Sequence, residues 1–408
     1  MPFFRFVRDH GRFLAFGFLL ALCSTFGQTF YIAMYSAPLR DAFALSHGEF
    51  GTLYAIATLS SGLLIIGVGT VIDRVDLRIY APILCACMAG ACALMSNASG
   101  IITLTLAIFA LRFCGQGLLS QAATVSMARY FEAGSRGRAV STAALGFPAG
   151  QALFPTGAVL LIATLPWREV WSMSALFVVL VMPATILWLL KGHGARHGEW
   201  QTRTQAHSSV DGAPTERQWA RREVLRDSNF YLIMLAMLAS SFIITGLNFH
   251  QVHLVAVKGW DLKIYAASFV VYATCQVGSS VVTGALVDRF GSRALARFYL
   301  LPLSAASFAL AGMESQVAVV VFMALAGTSG GAGATIVSTI WAELYGVRHL
   351  GSIKALVAGL AVISSALAPP LFGVLIDHGV GITVLAAGCG MYALSGSALL
   401  TFVFSRRS

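Results

Sequence analysis

Gly69-Thr-Val-Ile-Asp73-Arg74-Val-Asp-Leu-Arg78 recurs as Gly284-Ala-Leu-Val-Asp288-Arg289-Phe-Gly-Ser-Arg293, 215 residues further along the chain. The glycine, the Asp-Arg pair and the closing arginine keep their spacing. Working outward from the two copies, Leu111–Phe131 aligns with Leu325–Tyr345, Gly137 with Gly351 and Pro155 with Pro369, all at an offset of 214. Independent matches at nearly one offset mean that the chain is built of two related halves.

What surrounds the two copies is almost entirely apolar. Of 408 residues 57% are hydrophobic and 11% charged, where a soluble domain carries about 25% charged residues. The mean hydropathy is +0.78. Such a chain cannot cover its own surface in water, which excludes a soluble enzyme. Stretches such as Ile101–Leu111 and Phe230–Leu238 are too long for buried strands, and the period-2 alternation of a transmembrane β-barrel is absent. At about 20 apolar residues per crossing, twelve spans are expected, at 13–37, 48–72, 80–97, 100–127, 138–163, 168–190, 229–257, 262–287, 294–312, 315–342, 352–376 and 380–404. The expected fold is an all-α polytopic membrane protein with 12 transmembrane helices in two pseudo-symmetric six-helix bundles. The bundles fall at 1–190 and 229–408, joined by a polar linker at 191–228 that holds His193, His197, Gly212 and Pro214. Within this linker Thr215–Asp227 could form a surface helix, and His193 and His197 are expected to be solvated.

The net charge of +10 would suggest nucleic acid in a soluble chain, but its distribution says otherwise. With the N-terminus in the cytoplasm, the cytoplasmic segments hold 22 of the 27 Lys+Arg and the outer loops hold four, whereas Asp+Glu divide 11 to 6. An even number of spans with both ends inside satisfies the positive-inside rule. The basic excess is a topology signal, and no nucleic-acid partner is expected. Arg5, Arg8 and Arg12 precede an apolar run too long for a signal peptide, with no small-residue cleavage site after it, so it stays as span 1. The seven cysteines lie within spans, none at metal-site spacing with a histidine, and read as small hydrophobes. No metal or other cofactor is expected. Without a phosphate loop or nucleotide-binding domain, ATP-driven transport is not expected either.

Gly-x-x-x-Asp-Arg followed by basic residues, between spans 2 and 3 and again between spans 8 and 9, resembles the signature loop of the major facilitator superfamily. The twelve-span layout and the long central linker agree. The resemblance implies two parallel-related bundles that rock about a central site. Within the superfamily, Arg129-Tyr130-Phe131 with Arg136-Gly137-Arg138-Ala139, Trp341-Ala-Glu343-Leu-Tyr345-Gly346 with Leu350-Gly351, and Phe249-His250-Gln251-Val252-His253-Leu254 look like the bacterial monocarboxylate-transporter-like group. That group looks to hold its anions by basic residues in spans 8 and 11. Here span 8 offers Tyr272 and Gln276 without a charge, and Lys354 sits at the cytoplasmic end of span 11 as a snorkelling anchor.

Charges at helix ends can act as conformational switches because pairs between neighbouring helices break when bundles separate. Asp73 and Arg74 sit where Asp73 could meet Arg129 at the cytoplasmic end of span 4. The symmetry partner of Arg129 is Glu343, which could meet Arg289 or Arg293, beside Asp288. The alternative is that these charges only anchor helix ends at the headgroups.

Arg112 lies 12 residues into a span of about 28, and burying an arginine there costs about 2.5–3.5 kcal/mol on insertion scales. No Asp or Glu lies deep in any span, so Arg112 is expected to face a water-filled cavity and take an anion, a guanidinium fork suiting a carboxylate or phosphate. The alternative is an arginine bonded to backbone carbonyls or glutamines. Arg112-Phe-Cys-Gly115-Gln116-Gly117 resembles the span-4 motif of proton antiporters with its spacing off by one. Gly146-Phe-Pro148-Ala-Gly150 takes the place of the span-5 signature of drug antiporters. His250 and His253, three apart and so on one helix face, with Asn248 and Gln251 beside them, are candidates to relay a proton or touch substrate; hydrogen-bonded packing is the bland reading. Gln28 and Tyr31 in span 1, Gln116 in span 4, and Tyr272 and Gln276 in span 8 are candidate cavity residues or interhelical hydrogen bonders. The glycine run Gly327–Gly333 suits close helix packing.

Together these readings describe a monomeric secondary transporter of the bacterial inner membrane, not an enzyme. It moves a small, carboxylate-like organic anion by alternating access and couples to protons, in symport. The alternative is an efflux antiporter for lipophilic or drug-like compounds, which would want a wide apolar cavity and would bind amphipathic cations that Arg112 repels.

Overall fold

The structure, a computed structural model, describes residues 3–73, 75–206, 219, 221–346 and 350–405. Among these it is helical, without a strand, and twelve helices are long and apolar enough to cross a membrane. Spans 1 to 6 are Arg5–Gly27, His47–Ile72, Leu77–Ser96, Ile101–Tyr130, Gly134–Ile162 and Trp167–Leu189. Spans 7 to 12 are Ser228–Phe249, Leu262–Phe290, Ser292–Gly312, Val317–Tyr345, Leu350–Asp377 and Ile382–Ser405. Helices are the outcome that lipid demands, because every backbone N–H and C=O must find its partner within the segment. The apolar side chains left outward fit this solvent: Ile66 is 73% exposed, Ile102 77% and Val281 70%, surfaces that lipid tails cover. Cys87 also lies outward, whereas Cys23, Cys85, Cys92, Cys114 and Cys389 are buried.

The chain divides into two compact units. One holds residues 1–32 and 56–214, the other 33–55 and 215–408. In the first, span 3 packs on span 6 and span 1 on span 5; in the second, span 9 packs on span 12 and span 7 on span 11. The same pairings recur half a chain apart, which is the internal repeat seen as packing.

The repeated turn is built differently in each half. After span 2, Asp76 stands in an extended conformation as the N-cap of span 3 and accepts the Arg78 amide at 2.8 Å. The Arg78 guanidinium also donates to that carboxylate and holds it down to about 2. After span 8 the corresponding residue is Gly291, at φ +79°, a region that favours glycine. Asp227 likewise caps span 7, accepting the Asn229 amide at 3.0 Å.

The linker is where the sequence expectation needs correction. The segment His193–Ala206 is a helix belonging to the first unit, and His193 is fully buried, not solvated. Its ring lies 5.6 Å from that of Phe13 and 4.7 Å from that of Tyr130. His197 is hydrogen-bonded to the Tyr130 hydroxyl through Nδ1, at 2.9 Å. Trp200 lies under the Arg129 guanidinium at 4.1 Å. Aromatic and imidazole faces at i, i+4 and i+7 thus dock one stripe of this helix, which a polarity scan reads as linker. Of the expected surface helix, Arg221–Val224 is helical, and 215–218 and 220 lie outside the described residues.

Burial lowers His193 to about 4, while Asp76, 3.9 Å away, pulls upward and Arg196, His197 and Arg78 add to the lowering. The unfolded value is about 6.5, so docking favours the neutral ring. Its stabilisation is complete above pH ~6.5 and is lost as the pH falls through about 4. A spin label at Thr202 is expected to be immobile at pH 7.5 and mobile near pH 4. His193→Phe should flatten that change, and equal mobilisation in both proteins would show that another group drives it.

Candidate functional site

Span 1 loses regular helix at its end. The helix Phe3–Cys23 passes into a 3-10 turn, Ser24–Gly27, and Gln28 is extended at φ −83°, ψ 147°. Short helical pieces follow at Thr29–Ile32, Ala33–Tyr35 and Ser36–Phe43. Facing the break, span 4 is π-helical over Arg112–Leu119. The two irregular backbones touch through glycines. A Cβ at Gly115 would stand 2.6 Å from the Gly27 nitrogen and 2.7 Å from its Cα, and one at Gly27 would collide with the Leu111 carbonyl. π-Helical turns inside α-helices are often found at functional sites. Irregular backbone at membrane depth is tolerated where protein or a cavity satisfies it.

Arg112 supplies part of that satisfaction. Its Nη1 donates to the Gly27 carbonyl at 3.0 Å and to Thr29 Oγ1 at 3.2 Å. At 3% exposure it does not face an open cavity; it stitches span 4 to the break in span 1. Gln28 and Gln116 sit half-buried on either side of this crossing. Tyr31 is buried in an aromatic cluster, its ring 5.6 Å from both Phe26 and Trp171. Arg112, Gln28 and Gln116 are therefore brought to one junction in the first unit, with Tyr31 beside it in sequence.

The second unit gathers the histidines. Span 7 ends at Phe249 and a new helix, Gln251–Lys258, starts beyond His250. His250 is 3% exposed, and its Nε2 lies 3.0 Å from the Pro369 carbonyl. A carbonyl only accepts, so Nε2 carries the proton and the neutral ring keeps Nδ1 as an acceptor. A third histidine, His47 at the start of span 2, lies 4.4 Å from His253 and 5.8 Å from His250, ring centre to ring centre. Asp377 at the end of span 11 accepts the backbone N–H groups of His47 and Gly48, at 3.1 and 2.7 Å. It caps span 2 from 330 residues away in sequence, an anion placed where the helix dipole favours one. Among the described residues no group of three His, Cys, Asp or Glu side chains is arranged to hold a metal ion. Asn248 is set apart from this cluster, buried and accepting the Tyr265 hydroxyl at 3.2 Å. Tyr272 and Gln276 lie on span 8 against the glycines of span 10, where a Cβ at Gly327 or Gly331 would strike their carbonyl oxygens.

At the repeated turns, Arg129 donates to the Ile72 carbonyl at 2.7 Å, one residue before Asp73. The Asp73 side chain and Arg74 lie outside the described residues. Glu343, the symmetry partner of Arg129, accepts the Ser292 amide at 2.9 Å, and its own carbonyl accepts from Arg293 at 2.6 Å. Arg289 lies over the ring of Phe290 instead, and Asp288 is exposed. A cation therefore meets the C-terminal end of span 2 and an anion the N-terminal end of span 9, each where the helix dipole favours it.

The family model of the Major Facilitator Superfamily matches residues 17–369. The chain belongs to the major facilitator superfamily. No curated protein matches the sequence. Its fold is similar to crystal structures of a bacterial homologue of the human lysosomal transporter Spinster, in inward-facing unoccupied and occupied conformations. The TM-scores are 0.63 and 0.62 at 16% and 17% identity, and in both cases the match covers 99% of this chain and 96% of the other. The chain is thus a multi-pass membrane transporter of this superfamily.

Three residues of this transporter's histidine cluster escaped the sequence reading: Arg40, His47 and Asp377. They stand at helix ends, where charge is ordinary, and no spacing links them, because residues 33–55 join the second unit only through folding. The Gly27–Gly115 crossing had a weak signal in the paired glycines Gly115 and Gly117. Because the contact is backbone on backbone, Gly115→Ala should cost about 1–3 kcal/mol, read as a lower unfolding temperature in detergent. Gly90→Ala, with nothing near its Cβ position, is the control and should be near neutral.

Proposed function

We propose that this superfamily member is a secondary transporter that moves a small organic anion by alternating access, with protons, across a bacterial inner membrane. Both termini are cytoplasmic, the two bundles are 1–190 and 229–408, and the monomer is the working unit. One observation carries the reading: the permanent charge of Arg112 lies on the break of span 1, bonded to Gly27 and Thr29.

A guanidinium is costly at that depth, and here it bridges two stretches of irregular backbone. A carboxylate or phosphate suits the fork better than a neutral carbonyl, since charge-assisted hydrogen bonds are about twice as strong as neutral ones. An arriving anion would draw Arg112 from the Gly27 oxygen and free the break in span 1 to rearrange. Binding is thereby tied to conformation through a differential contact, which a population shift requires. Gln28, Tyr31 and Gln116 in the first unit supply neutral hydrogen-bonding groups for the rest of the substrate; Asn248, Tyr272 and Gln276 are the candidate substrate contacts that the second unit offers. Proton coupling is assigned to His250 and His253, because the open Nδ1 of His250 is the kind of acceptor that a proton needs. Gating is assigned to Asp73, Arg74, Arg129, Asp288, Arg289, Arg293 and Glu343, the charges that the sequence sets in the repeated turns and at the ends of spans 4 and 10.

Thermal stabilisation of purified protein by a panel of mono- and dicarboxylates, phosphorylated metabolites and lipophilic cations tests the anion reading. One anion class should stabilise the wild type, and Arg112→Lys, which keeps a charge but not the fork, should need at least tenfold more ligand. Stabilisation by cations in both proteins with no anion response would overturn the reading in favour of efflux. In proteoliposomes His250→Gln should abolish acceleration of uptake by a pH gradient while leaving substrate exchange intact. Equal acceleration in wild type and variant would remove His250 from coupling.

A further inference from the structure

The space among Arg40, His47, His250 and His253 in the second unit is closed to about the size of one water molecule. Open cationic chemistry lies instead in the first unit, at the end that the charge distribution assigns to the cytoplasm. Arg5, Arg8 and Arg12 follow one another at helical spacing along one face of the helix Phe3–Cys23. Lys191 stands one turn beyond Trp188, its amide donating to the Trp188 carbonyl at 3.3 Å, just past the end of span 6. Spans 1 and 6 touch, and the Arg12 guanidinium lies over the Trp188 ring at 5.4 Å. Arg12, Trp188 and Lys191 therefore share one corner of the unit.

The cations of this corner are unevenly balanced. Asp9 stands 3.5 Å from Arg8 and 3.9 Å from Arg5 and serves both. Among the described residues no carboxylate lies within 4 Å of Arg12 or Lys191, and both are exposed. The indole face steadies the Arg12 guanidinium but brings it no counter-charge. Further into span 6 the Trp188 face continues as Val181 and Phe177, about 10 and 16 Å along the helix at 1.5 Å per residue. All three side chains are exposed. Two cations without a carboxylate thus stand at the head of an apolar track, in a part of the chain that lipid surrounds.

We infer that Arg12, Trp188 and Lys191 form a binding site for one anionic phospholipid. The phosphodiester takes charge-assisted hydrogen bonds from the Arg12 guanidinium and the Lys191 ammonium, and an acyl chain lies along Val181 and Phe177 beneath the indole. Charge complementarity sets the headgroup. A lipid with a net negative charge, such as phosphatidylglycerol, answers both cations, whereas the choline of phosphatidylcholine brings a third positive charge beside them. The apolar track sets the source. A soluble phosphate ester would gain from the cations alone, at a surface where salt screens them. A lipid held here ties the start of span 1 to the end of span 6, the first and last spans of this unit. The site makes no use of Arg112 and stands apart from the substrate reading.

The test is native mass spectrometry of the delipidated full-length transporter in detergent, titrated separately with phosphatidylglycerol, phosphatidylcholine and glycerol 3-phosphate. Wild type should take its first phosphatidylglycerol at a concentration at least fivefold below that for its first phosphatidylcholine. Arg12→Gln and Lys191→Gln should each raise the phosphatidylglycerol concentration about fivefold, the factor that one basic residue near a membrane surface contributes. Arg136→Gln, which removes the same charge from an exposed position at the start of span 5, should leave it unchanged. Equal weakening in Arg136→Gln would reveal diffuse attraction and overturn the site. So would wild-type affinity in both Arg12→Gln and Lys191→Gln, or no phosphatidylglycerol adduct on any of the proteins. Equal binding of the two lipids by wild type would overturn the anionic assignment. Displacement of phosphatidylglycerol by an equal concentration of glycerol 3-phosphate would show a site for a soluble phosphate ester and overturn the lipid. Should Arg12→Gln fail to fold, Lys191→Gln against Arg136→Gln decides by the same fivefold difference.

Discussion

In the interior of a membrane a peptide group without a partner has nowhere to turn, and that constraint organises the first half of this protein. Span 1 gives up regular helix at Ser24–Gln28 and can do so because Arg112 reaches across from span 4 to the Gly27 carbonyl. Span 4 in turn carries Arg112 at the head of a π-helical stretch, and the two backbones come within reach only because Gly27 and Gly115 have no side chains. Each irregularity makes room for, or satisfies, the other. A charge that would be expensive alone becomes the link that makes a broken helix possible. The same link makes the junction sensitive to anything that competes for the guanidinium.

The two halves descend from one plan but resolve it with different chemistry. Where the first half caps span 3 from within by Asp76, the second has glycine at the matching position and borrows Glu343 from span 10 to meet the Ser292 amide. Arg129 and Glu343 occupy equivalent positions with opposite charge, and each contacts the helix end whose partial charge it complements. An internal repeat can therefore preserve the site of an interaction while inverting its sign.

At the other end of span 2 the arrangement is electrostatic again. Asp377 holds the first two amides of the span, and the histidines gather beside it because spans 2, 7 and 11 all reach this level within one unit. Span 2 begins in the second unit and continues into the first, so its start is held by residues from the far end of the chain. A transporter that changes conformation must be able to release such a contact. Hydrogen bonds from exposed or half-buried amides to one carboxylate are of the strength that allows it.

Much of the architecture was legible in the residues alone. Twelve apolar runs, the repeat that pairs Gly69–Arg78 with Gly284–Arg293, and the position of Arg112 deep in a span require no coordinates, because length, hydropathy and periodicity are local properties that lipid reads directly. The docking of His193 and His197 was not legible there, since polarity says nothing of a partner such as Tyr130 that folding brings to meet them. Arg112 falls well inside span 4, Ile101–Tyr130, but its partners were not foreseeable: the break after Cys23 leaves no trace in the sequence. The meeting of Arg40, His47, His253 and Asp377 lay beyond the sequence for the same reason. What the chain decided by itself is which segments enter the membrane; which charges meet there was decided only by tertiary packing, because electrostatic partners are chosen by distance in space and not along the chain.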